Sequence, residues 1–391
     1  MRVLFALLLV FKVSLLYGQD SIIEQSFIIS SHYLDEDREY WVHIPKSYFD
    51  ESYVPVAYPV VYLLDARAQF QVFTGIMNAM SSGANGNYRI PETIVVGILN
   101  TDRMRDLTPT RGDVEELGAE FATSGGGAAF LNFLEHELIP EIESRYRVLG
   151  HRTLVGHSLG GLLVVQALIE KPELFDGLMI IDPSLWWEEG QYLELIESEY
   201  ATAPQTDLAV YIVTPQYSNS NGQITTTARL HELLVAKQFE NLRIELQRIP
   251  DESHAAVPLL AFYQGLQFLY GDMEIDFMSM LDQGPSYVSA LYDKLSNNLG
   301  EVYLPPERLL EAIGQNLLGL PPEMREISTR FFEYATQVYP GSALAFINLA
   351  ESYRDMERKE EAIQALGKAI ELDSDNEEIR VKLEQLKLSL D

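Results

Sequence analysis

Residues 154–161 read Leu-Val-Gly-His-Ser-Leu-Gly-Gly, a Gly-x-Ser-x-Gly string centred on Ser158. An apolar run at 153–155 leads into it and an amphipathic run at 162–169 leads out. That order predicts strand, sharp turn and helix. The turn lifts the serine hydroxyl above the sheet and aims a helix N-terminus at developing negative charge. Small flanking residues, here Gly156 and Gly160, let the backbone close so tightly. Without that strand–helix setting the string would be no more than a structural Gly-Ser turn, because glycine and serine are common.

A nucleophilic serine needs a base, and the chain has seven histidines. In a sheet that presents its nucleophile this way, the base follows on a loop after the last strand. His254 meets that order. It comes after an alternating run at 242–249 and before a long apolar helix at 257–270. His157 lies inside the turn and is expected to point away from the serine's face. His151 precedes the nucleophile strand, and His231 lies in a helical run.

The orienting acid departs from expectation. The stretch after the strand at 208–213 reads T-P-Q-Y-S-N-S-N-G-Q and has no Asp or Glu. One strand earlier, I-I-D-P-S-L-W-W-E-E-G offers Asp182, Glu188 and Glu189. Asp251 is only three residues from His254, too local to orient it from behind. A Ser-His dyad also remains open, since triad members contribute unequally.

Five strings together resemble the putative esterase family of α/β hydrolases, the group with esterase D-like enzymes, enterobactin-type siderophore esterases and feruloyl esterases. They are V-V-Y-L-L-D (60–65), V-G-I-L-N-T-D-R-M-R-D-L-T-P (96–109), V-G-H-S-L-G-G-L (155–162), D-P-S-L-W-W (182–187) and E-S-H-A-A-V-P-L-L (252–260). The resemblance spans 25–270 in family order. It implies Ser158 as nucleophile and His254 as base. Relatives often carry an acid just after the paired tryptophans, which favours Glu188 as the orienting acid, with Asp182 second. Water then deacylates the enzyme, or another alcohol accepts the acyl group, as in the related mycolyltransferases. No metal or cofactor is required. A non-catalytic interaction module with a degenerate hydrolase domain is the alternative, and the missing acid after Val213 is its only support.

An oxyanion hole needs two backbone N–H groups. Leu159, after the nucleophile, is one expected donor. The turn at Asp65-Ala66-Arg67 supplies the other, at Ala66, where relatives usually have glycine. The charged loop after the strand at 93–98 lies where ligands bind in α/β sheets. Its Arg103 and Arg105 are candidates to hold a substrate carboxylate or phenolate, or else pair with Asp102 and Asp106 to hold the loop's shape. Trp186 and Trp187 are candidates to stack on an aromatic or sugar ring, or to serve as core.

The elements that must position these residues follow from periodicity. Continuous apolar runs at 60–64, 93–98, 178–181 and 208–213 read as strands buried on both faces. Helical patterns at 69–80, 130–146, 226–237 and 257–270 alternate with them. The fold class is therefore α/β: an α/β-hydrolase, mostly parallel sheet with helices on both faces, here assigned to 19–271. After Gly271 the strand patterns stop. Residues 272–304 read as linker and helix, and 305–391 as a small all-α domain. Within it, 343–376 resembles a tetratricopeptide repeat, with Phe346, Leu349, Ala350, Tyr353, Ala362, Leu366 and Ala369 at the signature places and Ser374 where the consensus has proline. One repeat earlier the pattern is degraded. Two repeats are fewer than a free-standing array needs, so the tail is expected to dock on the hydrolase domain, and it is a possible grip for a protein partner.

The chain has 391 residues, a net charge of −30 and no cysteine. The charge disfavours nucleic acid and anionic membrane surfaces as partners and leaves a small-molecule ester as the expected ligand. The absence of cysteine excludes disulfides and thiol nucleophiles. Residues 1–18, with Arg2 ahead of a short apolar run, read as a signal peptide and imply a periplasmic or secreted protein. No second membrane span is expected.

Overall fold

A computed structural model describes residues 24–82, 88–198, 206–216, 221–319, 321, 325–375 and 377–388. The expected signal peptide at 1–18 lies outside the described residues. Eight strands form one sheet: β1 (Glu24–Ser31), β2 (Glu36–His43), β3 (Tyr58–Leu63), β4 (Ile94–Ile98), β5 (Val148–His157), β6 (Gly177–Ile181), β7 (Leu208–Pro215) and β8 (Leu242–Ile249). Their order is β1-β2-β4-β3-β5-β6-β7-β8. β1 and β2 pair antiparallel, as do β2 and β4, and every pair from β4 to β8 is parallel. The continuous apolar runs become the central strands: every residue of β3, β4, β6 and β7 is buried.

Side chains alternate between the two faces, as a pleated strand requires. Val60, Tyr62, Leu154, Val210 and Ile212 face one core, which α2 (127–145) and α3 (Leu159–Glu170) cover, with α4 (Gln191–Ser198) and α5 (Asn221–Ala236). Val61, Leu63, Val155, Tyr211 and Val213 face the other, under α1 (Ala66–Ser81) and α6 (Val257–Tyr270). The run at 162–169 is not amphipathic in its setting. Every residue of α3 from Leu159 to Leu168 is buried, so this helix is enclosed on all sides.

Among the described residues seven further helices follow: α7 (Phe277–Gln283), α8 (Pro285–Leu299), α9 (Glu307–Leu318), α10 (Arg325–Val338), α11 (Ala343–Asp355), α12 (Lys359–Leu372) and α13 (Glu377–Leu388). The first of them share the core of the second sheet face. Met280, Val288, Tyr292, Leu295, Leu309, Leu310 and Ile313 join one continuous cluster with Phe262, Leu266 and Tyr270 of α6. Polar ties reinforce this docking. Tyr53 Oη donates to Glu311 Oε2 at 2.6 Å, the backbone N–H of Val54 to Glu307 Oε2 at 3.3 Å, and that of His151 to Glu301 Oε1 at 3.0 Å. Arg308 pairs with Glu92. Most of these anchors sit at or near segments entering β3, β4 and β5, so the tail braces the edge of the sheet where those strands begin. Farther out, Leu349, Ala350, Ala362, Leu366 and Ala369 pack with Phe332 in a separate small core of α10, α11 and α12.

Candidate active site

The strands' C-terminal edge, opposite the tail's anchors, gathers the chemistry. β5 ends at His157, and Ser158 then adopts φ 61°, ψ −119°, a conformation that L-residues rarely hold. The turn is pinned from β6, because the Ser158 N–H donates to the Ile181 carbonyl at 3.0 Å and the Ser184 N–H to the Ser158 carbonyl at 3.0 Å. A Cβ at Gly156 would collide with the Gly160 carbonyl, so glycine is obligatory there. At Gly161 a Cβ would crowd Pro183 at 3.0 Å, whereas at Gly160 it would meet Asp65 at an ordinary 3.4 Å. Close approach therefore demands glycine at 156 and 161 more than at 160. The Ser158 Oγ lies 3.3 Å from Ser184 Oγ.

His254 lies between β8 and α6, as the order of elements predicts, and its Nδ1 is 2.6 Å from Asp182 Oδ2. Asp182 follows β6 directly, in a left-handed conformation with φ 39°. Its carboxylate is fully buried while His254 is 43% exposed, so one end of the imidazole is anchored in the protein and the ring reaches the surface. Thr214 of β7 donates to Asp182 Oδ1 at 3.0 Å. The strand whose following stretch lacks a carboxylate thus supplies a hydroxyl that buttresses the carboxylate of its neighbour.

This geometry corrects the assignment of Glu188. Glu188 sits on the turn Trp187–Gly190 with φ 46°, where its charge acts on Tyr192, and the carboxylate that bonds His254 is that of Asp182. The residue at the strand end is the one that meets the imidazole. His157 needs the opposite correction: its ring does not leave the site but packs on His254, centroid to centroid at 4.4 Å. Burial pushes the His157 imidazole down to about 4, with the neighbouring His254 acting in the same direction.

Leu159 and Ala66 open α3 and α1, and first-turn N–H groups have no acceptor within their own helix. Both lie beside the nucleophile turn, because Gly160 approaches Leu64 and Asp65. The two arginines are engaged by the protein. Arg103 Nε and Nη2 donate to the two Asp65 carboxylate oxygens at 2.7 and 2.9 Å. Arg105 donates to Glu36 at 2.6 Å and to Asp106 at 2.7 Å. Asp102, the local partner that spacing offered to Arg103, instead caps the Arg105 N–H and accepts from Thr123. Of the tryptophans, Trp187 is buried against Phe121 and donates from Nε1 to Thr110 at 3.0 Å, so it is a core residue and not a ligand platform. Trp186 is 41% exposed and keeps a face for a ring.

Sequence reasoning missed Asp65, Asn100, Thr214 and the His157 contact. Asp65 had a usable signal, a lone carboxylate at the end of a fully buried strand. Among the described residues no group of three or more His, Asp and Glu side chains comes together as a metal site, and no helix is long and apolar enough to cross a membrane.

A mostly parallel sheet, a strained serine between strand and helix, and a histidine–aspartate pair at the same edge define an α/β hydrolase. Residues 31–255 match the family described as "Putative esterase", and the chain belongs to that family. It is 30% identical to an IroE-like serine hydrolase from Shewanella oneidensis, whose crystal structure superposes with a TM-score of 0.71 over 99% of that chain and 81% of this one. The likeness thus reaches past the α/β portion. It is 29% identical over 254 residues to the ferri-bacillibactin esterase BesA of Bacillus subtilis, spanning 60% of this chain and 86% of that protein. It is 30% identical over 169 residues to a siderophore triacetylfusarinine C esterase of Aspergillus fumigatus, spanning 40% of this chain and 55% of that protein. Ester hydrolysis is the activity these relatives support.

Proposed function

We propose that the protein is a serine esterase that works through an acyl-enzyme on Ser158. His254 takes the serine proton as the hydroxyl attacks the ester carbonyl, and it then protonates the leaving alcohol. Asp182 holds the imidazole's tautomer and stabilises the imidazolium. The N–H groups of Leu159 and Ala66 receive the oxyanion. Water, activated by His254, releases the acid and restores the serine. The observation that carries this reading is the 2.6 Å bond between His254 and a fully buried Asp182 beside the nucleophile turn. That bond supports the catalytic reading over a degenerate, non-catalytic domain, because it supplies a carboxylate for His254 from one strand earlier.

For the substrate we propose esters of the siderophore type, in keeping with the activities that name the relatives in Bacillus and Aspergillus. Residues 1–18 are read as a signal peptide, which puts the enzyme in the periplasm or outside the cell. The pair α11–α12 is read as a tetratricopeptide-like unit. The test is turnover by the purified protein of a panel holding a catecholate siderophore ester, a feruloyl ester, an acetylated sugar and a simple acyl ester. Hydrolysis that vanishes in a folded Ser158→Ala variant is expected. Near-normal turnover by that variant rules the mechanism out.

A further inference from the structure

Asp65 departs from what its position dictates. It is the N-cap residue of α1, where an aspartate ordinarily accepts from the N–H groups of its own first turn. Here it makes no such bond. It holds a left-handed conformation, φ 55° and ψ 37°, which non-glycine residues seldom adopt. Its carboxylate turns instead to the loop after β4. Oδ1 accepts from Asn100 Nδ2 at 2.5 Å and Arg103 Nε at 2.7 Å, and Oδ2 accepts from Arg103 Nη2 at 2.9 Å. The same Nη2 lies 3.5 Å from the carbonyl oxygen of His157, the residue before Ser158.

One guanidinium therefore touches two turns at once: the one that carries Ala66 and the one that carries Leu159. Those are the two candidate oxyanion donors. The loop that delivers Arg103 is itself fixed from below. Arg38, buried, donates to Asp106 Oδ2 at 2.5 Å and to the Leu99 carbonyl at 2.9 Å, and Arg105 closes the network onto Glu36 and Asp106. Arg103 is left with a bidentate carboxylate partner that cancels its charge, which is a poor arrangement for capturing an anion and a good one for setting a distance.

We propose that the Asp65–Arg103 pair is a positioning clamp that sets the spacing between the two oxyanion donors, and that Arg103 does not bind substrate. The proposal rests on the serine esterase reading above. A displacement of about 1 Å in such a site costs on the order of 100-fold in rate.

The test compares Arg103→Gln, Arg103→Lys and Asp65→Asn with wild type on two esters of similar leaving group, neutral p-nitrophenyl acetate and the anionic p-nitrophenyl hemisuccinate. Arg103→Gln is expected to lower kcat by about 10- to 100-fold on both esters alike, with KM within about twofold. Asp65→Asn should match it, and the double variant should be no worse than either single, because both remove one element. Arg103→Lys should restore only part, since an ammonium cannot span both carboxylate oxygens. If Arg103→Gln does not fold, Asp65→Asn, which keeps the side chain's shape, carries the same expectation. A KM rise confined to the anionic ester, an unchanged kcat, or additive losses in the double variant would overturn the clamp while the esterase reading stands. A wild-type protein that turns over none of these esters, nor any of the wider panel, removes the esterase reading and the clamp with it.

Discussion

The two edges of the sheet are built from the same residue types to opposite ends. Where β3, β4 and β5 begin, polar groups are consumed in holding the helical tail: Glu92 by Arg308, Glu301 by the His151 N–H, and Glu307 and Glu311 by the 50s loop. Where the strands end, polar groups hold one another, and the His254–Asp182 pair, the reactive pair we propose, brings its imidazole to the surface. Positive φ gathers at the second edge in the turns that follow the strands, at Asp65, Ser158, Asp182 and Glu188, while the first edge has it at Gln238 and Asp272, outside the site. Histidine shows the contrast best. His151 is enclosed by Tyr270 and tail residues, and burial drives it to about 4. His254 is anchored through one nitrogen with its ring partly in solvent. Strain around Ser158 and Asp182 is tolerated because the shared core and the docked tail supply the rigidity.

The sharpest way to break this contrast is to disable the reactive pair without touching the brace. Asp182→Asn keeps the shape of the side chain and the Thr214 bond but removes the charge that supports the imidazolium. It is expected to lower kcat by about 10²- to 10⁴-fold with little change in KM, measured by steady-state hydrolysis. A loss under about threefold would reduce the site to a dyad.

Acid should strike both edges together. His43, His151 and His157 are each pushed by burial to about 4 from an ordinary value of 6.5. The folded state therefore binds fewer protons than the unfolded chain in this window, so stability is complete above about pH 6.5 and is lost as pH falls toward 4. Each group accounts for about 3 kcal/mol at most. Urea melts at pH 7.0, 5.5 and 4.5 should show a progressively lower midpoint. A flat profile would mean these imidazoles are solvated.

A smaller effect isolates the brace. Glu92 is nearly buried and answers both Arg308 and Ser47. Glu92→Ala strands a partly buried guanidinium and is expected to cost about 1–3 kcal/mol, read as a lowered Tm. The kcat and KM at room temperature should stay at wild-type values. A matching loss of kcat would mean that the edges are coupled. The smallest effect falls on Glu188→Gln, expected to stay within about twofold of wild type in kcat, since His254 Nδ1 is already bonded to Asp182.

Much of this was legible in the sequence. Strands buried on both faces announce themselves as unbroken apolar runs, and β3, β4, β6 and β7 lie within a residue or two of where those runs put them. Ser158 and His254 follow from the order of elements. The acid was harder, because three carboxylates crowd into residues 182–189 and only the path of the chain after Ser184 decides which meets the imidazole. Arg103 was harder still. Local spacing offered Asp102, but the strand order places β3 beside β4, which brings Asp65 into reach across 38 residues of sequence. That the tail docks was inferable from its shortness. Where it docks was not, since the face of α6 that receives it reads only as one more apolar helix.

The central claim is that Ser158 is the nucleophile activated at this edge. Peptide mass mapping after treatment with a fluorophosphonate tests it most directly. A single phosphonyl adduct is expected, on Ser158, absent from Ser158→Ala and formed much more slowly in Asp182→Asn. An adduct on another residue, or none in a protein that still hydrolyses esters, would contradict the account.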